Sequence, residues 1–158
     1  MFIFVFSKLY SRMRSFLKIY IDRLGDGQTE KIDETLSPEI MDVHEKDLQF
    51  KHPVQLSGKA YLAEDHLIIQ LKIKTEAEIP CLICNERIQK KIVISSFYHT
   101  EEVANIKGHI YDYTDPMREA VLLEVPSFVE CMGNCPKRAE LKNYLDKGET
   151  QFPFADLK

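Results

Sequence analysis

The chain has 158 residues, 44% hydrophobic and 29% charged, with six Gly, seven Pro, four Cys and no Trp. That is the length of one domain and the apolar fraction of a soluble globular fold, and it excludes a disordered or fibrous chain. The net charge of −4 excludes a uniformly basic nucleic-acid coat, because neutralised phosphates supply most of the affinity of non-specific binders; any nucleic-acid contact has to be local.

Charge is uneven along the chain. Residues 1–18 carry Lys8, Arg12, Arg14 and Lys18 and no acid, whereas residues 19–50 carry nine acids against Arg23, Lys31 and Lys46. Such blocks read either as solvated faces or as a basic arm beside an acidic loop. Met1–Phe6 is apolar but too short for a signal-peptide core, and it precedes the basic residues instead of following them. No stretch approaches the roughly 20 apolar residues that cross a bilayer. A cytoplasmic protein is expected, with 1–15 as a mobile N-terminal arm outside a single domain at 16–158. The arm reads as a weak membrane-surface helix or as sequence upstream of a start at Met13.

Alternation from Phe16 to Asp22 predicts a half-buried strand, with Leu17, Ile19 and Ile21 on one face. Residues 25–47 are acidic with scattered apolar positions, which predicts a partly ordered loop carrying a short helix or two. Val54 to Leu62 alternates again, Ala63-Glu64-Asp65 makes a turn, and Leu67, Ile69, Leu71 and Ile73 continue on one face: a hairpin with a polar outer side. Gly58 within it marks a bulge or a close backbone approach. Ile88 to Phe97 predicts a further strand, so that a second hairpin has CLICNE at its turn. Asp115-Pro116 opens a helix with Asp115 as its cap, and Val125-Pro126 stops it. A last short helix is expected from Pro136 to Leu145 with Gly148 as its cap, followed by an apolar tail, 152–157, able to dock on the core.

The cysteines fall in two close pairs, Cys81/Cys84 and Cys131/Cys135, with 46 residues between the pairs. Two such clips can supply the four thiolates of a tetrahedral zinc site, with Cys81, Cys84, Cys131 and Cys135 as ligands and Zn²⁺ as the cofactor. Asn85 and the Gly133-Asn134 pair can make the tight turns. Three readings compete. Disulfides are disfavoured without an export signal. A redox C-x-x-C wants its first Cys at a helix N-terminus, and Cys81 lies between predicted strands. Four unliganded, buried thiols are the simplest alternative.

The histidines lie apart from one another, and there is no phosphate loop, nucleophile elbow or paired acid in a motif, so no catalytic constellation is found and a non-enzyme is expected. Bases gather beside both clips: Arg87, Lys90 and Lys91 after the first, Lys137, Arg138 and Lys142 after the second. Brought together, these six make a local RNA footprint; otherwise they form a salt-bridged face with Glu86, Glu130 and Glu140.

The order of these pieces resembles the YceD-like family, the large ribosomal RNA subunit accumulation proteins, also described as a domain of unknown function. The resemblance rests on FLKIYIDRL, on PVQLSGKAYLAEDHLIIQLKIKTEAEIPCLICNERI, on DPMREAVLLEVP, on CMGNCP and on FPFADL, and it spans residues 16–158. Many members continue after the closing cysteines with another C-x-x-C-G and a late C-x-C, whereas here CMGNCPKRAELKNYL runs into a predicted helix. The resemblance implies a role in synthesis, processing or stability of 23S rRNA, without known catalytic activity, and places Cys81, Cys84, Cys131 and Cys135 at the family's cysteine positions. The partners expected are ribosomal RNA or a pre-ribosomal particle, or a ribosomal protein, and neither DNA nor membrane. The alternative function is a zinc-stabilised protein-interaction module that uses the acidic 19–50 segment against a basic partner. The fold expected is α+β: an antiparallel curved β-sheet or partial barrel with two short C-terminal helices.

Overall fold

A computed structural model describes residues 17–145. The expected arm at 1–15, the Gly148 cap and the apolar tail lie outside the described residues. In chain order the strands are β1 (Lys18–Tyr20), β2 (Thr29–Leu36), β3 (Gln49–Phe50), β4 (Val54–Ala63), β5 (His66–Pro80), β6 (Arg87–Glu102) and β7 (Ile110–Asp112), followed by helices α1 (Thr114–Glu124) and α2 (Arg138–Leu145). All pairings are antiparallel. β2, β4, β5 and β3 form one sheet with β6 paired along β5, and β1 and β7 form a second, two-stranded sheet. The sheets do not close, and the architecture is the expected α+β fold with a curved antiparallel sheet and two short helices.

The first strand is shorter than its alternation predicts. β1 ends at Tyr20 and a 3₁₀ helix covers Ile21–Gly27. Ile21 and Leu24 are both buried, because a three-residue turn puts positions three apart on one side.

The expected acidic loop at 25–47 is corrected. It contains β2, which pairs with β4 over eight positions from Thr29↔Tyr61 to Leu36↔Val54. Its inward set is Glu30, Ile32, Glu34 and Leu36, so half of the core-facing positions are acids and the hydrophobic alternation is lost. The helical part of the expectation survives as a 3₁₀ turn, Pro38–Met41, with Met41 buried. Tyr113 is fully buried on this side of the fold; burial first, then the charges of Glu34, Glu30 and Asp112, raise its phenol well above the ordinary range.

The β4–β5 hairpin turns through Glu64, which takes φ 54°. β5 buries Leu67, Ile69, Leu71, Ile73, Thr75, Ala77 and Ile79, every second residue, as a pleated strand covering a core must. Gly58 proves to be a close approach: a Cβ there would lie 2.0 Å from the carbonyl oxygen of Gln70 on β5. β6 runs past the predicted end at Phe97 to Glu102. Leu71 pairs with Phe97 and Ile73 with Ile94, so Ser95 and Ser96 together oppose Lys72. This bulge reverses the side-chain phase: Ile92 is inward before it and Phe97 after it.

The capping residue of α1 is also corrected. The carboxylate of Asp112, not Asp115, accepts the N–H of Thr114 at 3.0 Å and its hydroxyl, while Asp115 pairs with Arg118 at 3.4 Å. α1 buries Met117 and Val121, and Nε of Arg118 donates to the carbonyl of Ile40, tying the helix to the Pro38–Met41 turn. Val125 leaves the helix in an extended conformation before Pro126, as expected.

Candidate metal centre

β5 ends at Pro80, and the next six residues turn the chain into β6. The loop closes on itself through Cys81 N–H to Glu86 O at 2.8 Å and Asn85 N–H to Cys81 O at 3.0 Å. Asn85 takes the left-handed conformation at φ 60°, the role its short polar side chain suits. The second clip is a 3₁₀ turn, Cys131–Gly133. Here Met132 (φ 56°) and Gly133 (φ 77°) make the bend, and Asn134, expected to share it, is extended.

The two clips meet. The four sulfur atoms of Cys81, Cys84, Cys131 and Cys135 all lie within 4.8 Å of one another, with Cys84 Sγ and Cys131 Sγ 3.7 Å apart. Zn–S bonds of about 2.3 Å in a tetrahedron separate the sulfurs by about 3.8 Å. Cys81 and Cys135 are buried and the other two half-buried. The backbone N–H of Cys131 points at Cys81 Sγ, 3.4 Å away. The arrangement is therefore compatible with a metal ion, and four soft ligands with no vacant ligand position describe a structural site better than a catalytic one.

The surroundings prepare these thiols unequally. Burial by itself pushes Cys81 up, but N–H donors of Cys84, Cys131 and Ile83, with the Cys84 thiol, bring it down to about 6. Hydrogen bonding with the Cys135 thiol, then burial and the thiols of Cys84 and Cys81, push Cys131 up to about 12. Burial also raises Cys135. Cys81 thus favours the thiolate, while Cys131 and Cys135 favour the thiol.

Glu130 braces the second clip from outside the sulfur set. Its Oε2 accepts the Cys135 N–H at 3.1 Å and Nε of Arg138 at 3.2 Å, and its other oxygen accepts from the second guanidinium arm. The sequence marks this residue as an ion-pair partner of the nearby bases, which its bond to Arg138 bears out, but not as a brace of the clip.

The six basic candidates are placed differently from one another. Arg138 is held by Glu130, and Arg87 lies 3.8 Å from Glu78, which also takes Lys51 at 2.9 Å. Lys90 pairs with Ala77 and Lys91 with Glu76; as consecutive strand residues they stand on opposite faces of the sheet. Lys137 and Lys142 are exposed beside the second clip and on α2. The acidic candidates of 19–50 are dispersed as well: Glu30 and Glu34 turn inward, while Asp22 and Asp42 face His109 and His44 at 3.5 and 3.1 Å.

No helix among the described residues is long and apolar enough to cross a membrane. Comparison with protein-family models, curated proteins and solved structures finds none that matches this chain.

Proposed function

We propose that this chain is a zinc-stabilised, non-enzymatic cytoplasmic factor for the accumulation of 23S rRNA during large-subunit biogenesis, acting on ribosomal RNA or a pre-ribosomal particle. The motif order that resembles the YceD-like family is the ground for the ribosomal role. The zinc-stabilised part of the reading is carried by the meeting of the two cysteine pairs, far apart in the chain, in one sulfur cluster. Zn²⁺ would be held there by Cys81, Cys84, Cys131 and Cys135, and would supply cross-linking, not reactivity: it joins the β5–β6 tip to the segment leading into α2. Depleting the protein and measuring the ratio of large to small ribosomal subunits tests the role. A fall in large subunits is expected, and an unchanged ratio rejects it.

The second reading, a protein-interaction module working through its acidic segment, draws less support, because Glu30 and Glu34 turn inward and Asp22 and Asp42 face histidines, which takes four of the segment's nine acids out of a free acidic surface. A pull-down that survives RNase would favour it over the first.

A further inference from the structure

The outer face of the large sheet carries no helix among the described residues, and pairing arranges its side chains in rows. One row is Lys31, Lys59, Gln70 and Tyr98; beside it lie Asp33, Ser57 and Lys72 with the Ser95-Ser96 bulge, then Thr35, Gln55, Lys74 and Val93. Lys31, Lys59, Lys72 and Lys74 therefore share these three rows with one carboxylate, Asp33, while Glu76 and Glu78 follow further along the same face of β5 beside Lys91 and Arg87, on a protein whose net charge is −4. None of the four is in an ion pair among the described residues. The centre of this face is a groove of about 610 Å³ floored by the bulge and bordered by Lys31, Lys59, Lys72 and Tyr98. Tyr98 is 57% exposed. Tyr61 lies two strands away on β4, across β5, with its ring 5.4 Å from Lys59 Nζ and its hydroxyl accepting from Gln70 Nε2 at 3.2 Å.

We infer that this sheet face is a docking surface for single-stranded RNA, centred on the groove at Tyr98 and separate from Lys90 and from the basic residues of the second clip. Lysines without carboxylate partners lose no ion pair when they meet phosphates, and an exposed tyrosine ring among them offers a stacking platform that any base can use. Ser57, Ser95, Ser96 and Gln70 supply hydrogen-bonding groups within reach of base edges and 2′-hydroxyls. An acidic peptide would satisfy the lysines but leave the ring of Tyr98 without a use, so RNA is the occupant the face fits. The inference rests on the RNA reading of the function and specifies its surface.

The test is fluorescence anisotropy of the full chain with a labelled single-stranded RNA of about 12 nucleotides, at about 50 and 200 mM salt. The triple variant Lys31→Ala/Lys59→Ala/Lys72→Ala should bind roughly tenfold or more weakly, with the salt slope reduced by about 2. Tyr98→Ala should weaken binding roughly tenfold with the slope unchanged, and Tyr98→Phe should restore it. Lys90→Ala/Lys137→Ala/Lys142→Ala should bind within about twofold of wild type, since the lysines it removes lie off this face. A triple variant that binds like wild type, or a wild type that prefers poly-glutamate to RNA, overturns the surface. Either result leaves the ribosomal role to be judged by the subunit ratio, which is measured without reference to this face.

Discussion

The backbone N–H of Leu82 meets the carbonyl oxygen of Val129 at 2.9 Å, and this bond fastens the loop of the first cysteine clip to the segment entering the second. It aligns the two turns before any ion is considered, so a metal would find its four sulfurs already gathered.

Metal content is the first consequence. Protein purified without chelator should carry one zinc per chain by elemental analysis, and stripping it should lower Tm by roughly 10 °C. Cys84→Ser and Cys131→Ser should each lose the metal. A chain that holds no metal and melts alike with and without chelator would leave the cysteines as buried thiols.

Glu130 should govern how tightly the metal is held. Because it orients Cys135 through its N–H and is itself fixed by Arg138, Glu130→Ala should weaken zinc binding roughly tenfold, the usual effect of removing a group that positions a ligand. Competition with a chromophoric chelator measures this. Unchanged affinity would mean that the backbone alone sets the clip.

Gly58→Ala should be among the most damaging single-methyl additions to the sheet. A Cβ at that position falls on the carbonyl of Gln70, so β4 and β5 have to part along their shared ladder, at a cost of about 2–3 kcal/mol. Urea unfolding tests it, and a loss below about 0.5 kcal/mol would show that the strands separate freely.

Alkali should unfold the chain through the buried Tyr113 and the half-buried Tyr111. Burial first, then Glu101 and Asp112, raise Tyr111 above its ordinary value of 10.0, and Tyr113 is raised further. A phenol raised in the folded state contributes stability below its unfolded value and loses it as pH rises above about 10. Tyrosinate absorbance should therefore appear in two stages, the second coinciding with loss of circular dichroism. A single stage that precedes unfolding would place both phenols in contact with solvent.

Much was legible from local pattern. Residues 54–73 alternate strictly because one face of that hairpin covers the core, and β4 and β5 are where the alternation puts them. Asp-Pro in the first turn of α1 and Val-Pro after its last turn bound the helix, although the capping carboxylate comes from Asp112, four residues before the proline at a strand end. The paired cysteines marked their own turns. β2 was illegible because Glu30 and Glu34 occupy two of its four inward positions, and only the ladder to β4 makes it a strand. The far half of β6 was illegible because the bulge at Ser95-Ser96 shifts the period by one residue.

Local pattern was enough for the class of the fold, the turns that present the cysteines and the charge beside them, since each depends on residues within a few positions of one another. Tertiary structure alone decided which of these meet. The antiparallel return of β6 and the packing of α1 through Met117 and Val121 bring Cys131 and Cys135 to Cys81 and Cys84. Strand register sets Lys31, Lys59 and Lys72 beside Tyr98 on one open face. These are contacts between distant parts of the chain, fixed by pairing and burial, and no local pattern encodes them.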